Sequence, residues 1–138
     1  MKYIVLTGRI FFALIFVTAG FSKFSSETIG MAASQGVPAA SLLVPVAGVM
    51  AILGGLSIAL GYRAKWGALL IVAFLVPVTL MMHNFWSVSD PMMVRMQQAM
   101  FFKNLSMVGG ALLLAFFGSG PLSLDSRGKN RQLRESLA

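Results

Sequence analysis

Two polar residues, Lys103 and Asn104, stand side by side in a run otherwise fit only for lipid or a packed apolar core. The run is QQAMFFKNLSMVGGALLLAFFGSGPLSLD, residues 97–125, and from Leu105 to Phe117 only Ser106 bears a polar side chain. An ammonium and a carboxamide in such a helix are expensive, so they are expected to face the protein interior or a wet cavity and to mark a functional position. Their chemistry is hydrogen bonding to an oxygen-bearing group. Four more residues join them as candidate ligand contacts: His83, Asn84, Gln97 and Glu27. His83 reads either as a hydrogen-bond donor to a ligand or as a hydrated member of an interfacial belt with Phe85 and Trp86. Taken alone, the belt is favoured. Glu27, the only acid between Met1 and Phe85, reads equally as a solvated charge at a helix start or as a site residue.

No catalytic role falls to any residue. The absence of cysteine excludes disulfides, thiol redox chemistry and thiolate metal sites for this chain alone. A single histidine excludes a bis-histidine haem and the usual multi-histidine zinc sites, and the ten methionines read as apolar filling. No metal is expected, and the chain carries no cofactor of its own.

The elements that must position these residues are membrane spans. Hydrophobic residues make up 57% and charged residues 11% of the 138, against roughly 25% charged in soluble domains. The apolar residues fall in four blocks, 4–21, 39–60, 66–82 and about 98–117, each near the ~20 residues that cross a hydrocarbon core as helix. The expected fold is all-α: an integral membrane four-helix bundle with a short interfacial helix after the first span. Residues 1–125 form the four-span domain and 126–138 a basic cytoplasmic tail.

The formal charge of +7 is unevenly placed. Lys2, Arg9, Arg63, Lys65, Arg127, Lys129, Arg131 and Arg134 map to one side, and Lys23, Arg95 and Lys103 to the other. The positive-inside rule puts both termini in the cytoplasm. Contact with anionic headgroups explains the charge, and nucleic acid is not an expected partner.

Within the first span, Arg9 lies about two turns from the N-terminus and reads as an anchor that snorkels to the cytoplasmic interface. A signal peptide is the rival for this stretch, but Arg9 interrupts the run and no A-x-A pattern follows. Lys23 ends the span, and Ser25 or Ser26 is expected to cap a helix over Glu27–Gln35, closed by Gly36 and Pro38. If that stretch is continuous helix, Lys23 and Glu27 can pair. In the second span Ala47, Ala51, Gly55 and Ala59 form a small-residue stripe for close helix approach. In the third, Pro77 frees a carbonyl near Ala73. Asp90 and Pro91 are expected to cap and open the fourth helix, and Gly118 to end it in a left-handed cap.

This topology carries Lys23, Glu27, His83, Asn84 and Gln97 through Asn104 to the outer half of the bundle. Such a cluster is equally a ligand pocket and a hydrogen-bond clasp between helices. Asp90 is taken by its cap, so Glu27 is the expected counter-charge of Lys103, directly or through one water.

The fourth-helix segment KNLSMVGGALLLAFFGSGPLSLD, the opening GRIFFALIFVTAGFSKF, Gly36-Val37-Pro38 and His83-Asn84-Phe85-Trp86 resemble the DoxX family of small bacterial membrane proteins, in order and spacing from Gly8 to Asp125. The resemblance implies four helices and association with quinone-linked redox complexes of the respiratory membrane. The redox centre would then come from a quinone or a partner protein. The leading expectation is a membrane subunit that holds a lipophilic, quinone-like ligand near the outer leaflet. The rival is a scaffold or assembly factor for a partner membrane protein, and a homo-oligomer is compatible with either.

Overall fold

A computed structural model describes residues 1–137. Four long helices carry the fold: α1 Lys2–Ser22, α3 Ala40–Leu60, α4 Ala64–Met82 and α5 Pro91–Phe117. All four are long and apolar enough to cross a membrane. Two shorter helices join them, α2 Ser26–Ser34 after the first span and α6 Leu124–Ser136 after the last. A single 3-10 turn, Phe85–Ser87, links α4 to α5. No strand occurs among the described residues, so the all-α bundle is the fold.

The ends of the elements follow from local chemistry. Ser25 caps α2 by accepting from the Thr28 N–H at 3.2 Å, with Glu27 in the favourable first turn. Asp90 accepts from the Met93 N–H at 3.1 Å, and Pro91 opens α5 where a missing N–H costs nothing. Gly118 ends α5 at φ 82, ψ −167. That positive φ needs glycine, but the extended ψ replaces the expected left-handed cap and sends the chain back under the bundle. The boundary expected at residue 125 falls within the first turn of α6, whose start is fixed by a capping box between Ser123 and Ser126.

Packing runs in series: α1 lies on α3, α3 on α4 and α4 on α5, with α2 resting on α3. Small residues set the separations. A Cβ on Gly48 would stand 2.8 Å from the Gly20 carbonyl of α1, and one on Gly54 3.0 Å from the Gly67 carbonyl of α4. Of the expected stripe, Ala51 and Gly55 are buried, and Gly55 also meets α1. The neighbouring Gly48 and Gly54 make the other close approaches, so α3 presents small residues to two partners rather than one. The core cluster of Ala13, Phe16, Ile58, Ala68, Ile71 and Ala111 joins all four spans.

At the basic end of the bundle a knot of hydrogen bonds locks the elements. Arg9 is 3% exposed. Its Nε donates to the Ala59 carbonyl at 3.3 Å, Nη1 to Ser119 at 2.6 Å and Nη2 to Leu122 at 2.9 Å. The expected snorkelling anchor is therefore overturned: Arg9 turns inward because the Ala59 carbonyl at the end of α3 and the Ser119 and Leu122 carbonyls of the α5–α6 loop lie within reach of its planar fork. Asp125 completes the knot. Its Oδ1 accepts from the Arg63 N–H at 2.8 Å and its Oδ2 from the Ala64 N–H at 3.2 Å, capping α4 from a different part of the chain. Gly61 sits between them at φ 65, where a Cβ would run into Ser123.

Candidate functional site

At the other end of the bundle, helix packing opens. The last turns of α1, the last turns of α4 and the first half of α5 enclose a cavity of about 130 Å³. Four polar side chains line it: Lys23, His83, Lys103 and Asn104; Phe16, Leu75 and Met107 are among its apolar walls. No carboxylate lines it.

Asn104 is the centre of this arrangement. It is 4% exposed, on the face of α5 that also buries Ala111. Among the described residues its carboxamide forms no hydrogen bond, and its polar atoms open to the cavity rather than being sealed in the core. Lys103, one residue earlier, points from the same turn to the exposed rim of the cavity. Lys23 is half-buried, and burial pushes its ammonium below the usual lysine value. The Thr79 hydroxyl of α4 is also buried with no partner among the described residues.

His83 and Gln97 form a direct bond, Nδ1 to Oε1 at 2.7 Å, from the end of α4 to α5. That pair is a clasp, and it leaves only the opposite edge of the imidazole for the cavity. The aromatic belt builds on it: Phe85 and Trp86 stack edge-on against Phe101 at 5.4 and 5.8 Å between ring centroids.

Of the residues singled out in the sequence, Lys103, Asn104 and His83 line the cavity, with Gln97 behind His83. Asn84 precedes the 3-10 turn, and Glu27 stands exposed in the first turn of α2; neither is among the cavity lining. The expected direct pairing of Glu27 with Lys103 is not made. Among the described residues the one ion pair is Arg131 with Glu135. Glu27 is held outward because the chain breaks between α1 and α2 at Lys23–Ser25. The same break separates Lys23 from Glu27, so they form no ion pair either. Lys23, which the sequence places in the outer polar cluster without naming it a ligand contact, also lines the cavity.

The arrangement can donate several hydrogen bonds, two of them from ammonium groups, to an oxygen-bearing group flanked by apolar walls. It holds no nucleophile–base pair.

Comparison with known proteins gives a consistent picture. The family model described as DoxX matches residues 4–84. The chain is 32% identical over 130 residues to the inner membrane protein YphA of Escherichia coli, covering 90% of this chain and 89% of the relative. It is 31% identical over 123 residues to the inner membrane protein YqjF of the same organism, covering 88% of each. It is also 28% identical over 127 residues to the ER-derived vesicles protein ERV29 of Saccharomyces cerevisiae, covering 92% of this chain and 34% of that longer protein. No solved structure matches.

Proposed function

The chain belongs to the DoxX family of multi-pass membrane proteins, and on that premise we propose that it is a non-catalytic subunit of a quinone-linked redox system. In this reading it holds a lipophilic ligand by an oxygen-bearing head between α1, α4 and α5. The carrying observation is Asn104: a residue 4% exposed whose carboxamide forms no hydrogen bond among the described residues and opens to a cavity that two lysines also line. Lys103, Asn104 and Lys23 donate to the head, with the free edge of His83 beside them. Gln97 orients His83, and Glu27 and Asn84 act at most indirectly. A quinone is the ligand class that the family resemblance implies, with electrons entering and leaving through a partner protein.

Titration of ubiquinone or menaquinone into purified protein, followed by the fluorescence of Trp86, tests this. Quenching is expected in the wild type, with about tenfold weaker binding after Asn104→Leu, the scale of one lost hydrogen bond. Equal quenching in both proteins would overturn the reading.

The second reading, a scaffold for a partner membrane protein, is favoured by one observation: the His83–Gln97 bond already ties α4 to α5. The single variants Gln97→Leu and Asn104→Leu together separate the two. A clasp predicts a lower melting temperature in detergent for Gln97→Leu with ligand binding untouched by Asn104→Leu, whereas a ligand site predicts unchanged melting and lost binding for Asn104→Leu. The site's side of the membrane is part of the proposal: both termini lie in the cytoplasm of a bacterial plasma membrane and the cavity lies in the outer half, supported by the eight-to-three distribution of basic residues.

A further inference from the structure

The cavity has a neighbour. Lys23, Phe74 and Val78 line both the cavity and a second space of about 320 Å³ between α3 and α4. The sequence accounts for it. α3 and α4 approach closely where Gly54 meets Gly67, and toward the cavity end the facing residues become Val46, Met50, Val78 and Met81, which hold the helices apart. Pro77, together with Ala73 four residues earlier, lies on the groove wall. Its lining is apolar except for Lys23 and Thr28, and the Thr28 hydroxyl is already engaged by Ser25 at 2.8 Å.

The groove is roofed. Ala32 of α2 is buried with Ala40 and Val44, and Ile29, Val37 and Met82 pack onto them. A polar head attached to a chain in the groove therefore finds a charged partner only at Lys23. Beyond Lys23 stand Lys103 and Asn104, and no carboxylate lines either space. Along α4 the groove runs from Ala73 to Met82, about 14 Å at helical rise.

We infer that the groove holds the hydrocarbon chain of the ligand whose head lies in the cavity, so that the occupant is a single-chain amphiphile with a hydrogen-bond-accepting oxygen head. The inference rests on the head-group reading above. It adds the chain's path, and makes Lys23 the point at which chain becomes head. A long-chain quinone and a long-chain carboxylic acid share this chemistry, and the charge of two facing ammonium groups suits either.

The test uses the full chain in detergent micelles and two photoprobes with a diazirine at the tail end, a palmitic acid and a decyl-tailed benzoquinone. Mass spectrometry then maps the labelled residues. Label is expected to concentrate on Met50, Met81 and Met82, and to fall about tenfold in Asn104→Leu, the scale of one hydrogen bond to the head. The probe that labels more strongly identifies the head, carboxylate or quinone. Ala47→Phe, which fills the groove, should abolish tail labelling while quenching by a tail-less benzoquinone persists. Should that variant fail to fold, the maps of the wild type and Asn104→Leu decide between them. Label spread over Phe102, Leu112 and Phe116 on the lipid-facing side of α5, yet still sensitive to Asn104→Leu, would overturn the chain path and leave the head site standing. Label in the groove that ignores Asn104→Leu would mean ordinary lipid chains fill it, and both readings would fall.

Discussion

At the scale of the residue, the site turns on groups that lack partners. Lys103 and Asn104 were legible in the sequence because a polar pair in an apolar helix has few inexpensive placements. Lys23 was legible only as a member of the outer polar cluster, since a lysine closing a span looks the same whether it faces water or turns inward. Its burial has a thermodynamic consequence. The charged form is disfavoured in the folded protein, so its folded pKa lies below the ordinary value of ~10.4. Between those two values the unfolded chain binds more protons, and stability rises with pH. Denaturation of the wild type across that window should therefore show a gain toward high pH that Lys23→Met lacks.

At the scale of the element, helix existence and caps were readable because they rest on neighbours in sequence: Ser25, Asp90 and Pro91 act on residues three or fewer positions away. The Arg9 knot was not readable. Its partners lie 50, 110 and 113 positions along the chain, and no local pattern distinguishes an arginine that snorkels from one that turns inward. The knot also sets a prediction. Arg9→Lys keeps the charge but cannot reach three carbonyls at once, and each hydrogen bond lost between membrane helices costs about 1–2 kcal/mol. A loss of about 2–4 kcal/mol is expected for Arg9→Lys in unfolding followed by circular dichroism. Arg9→Met should do at least as much damage, because all three carbonyls then lose their partner.

At the scale of the whole molecule, the two ends of the bundle differ in kind. The basic end is closed by glycines, alanines and the Arg9–Asp125 knot; the opposite end is held apart by bulkier side chains and contains both half-open spaces. That α3 and α4 pack as antiparallel neighbours follows from their short connection, Gly61–Arg63. The gap between α1 and α5 near Lys103 was not visible in the sequence, because it depends on how the other two spans, α3 and α4, fill the interior. The basic residues cluster at the closed end, so a reporter active only in the cytoplasm should give signal when fused after Ala138 and none when inserted near Gln35. The reverse would move the cavity to the cytoplasmic half.

The knot also bears on how the protein is made. While the chain emerges from the ribosome, Arg9 enters the bilayer with the first span, and two of its three carbonyl partners, Ser119 and Leu122, are synthesised more than a hundred residues later. Until then the nascent protein carries an incompletely covered cation, a defect that quality-control proteases can recognise. A chain truncated after Phe117 retains all four spans and the entire cavity, yet leaves this defect permanent. Pulse-chase labelling should show it inserted and then degraded faster than the full chain, and Arg9→Leu in the truncated form should lengthen its lifetime.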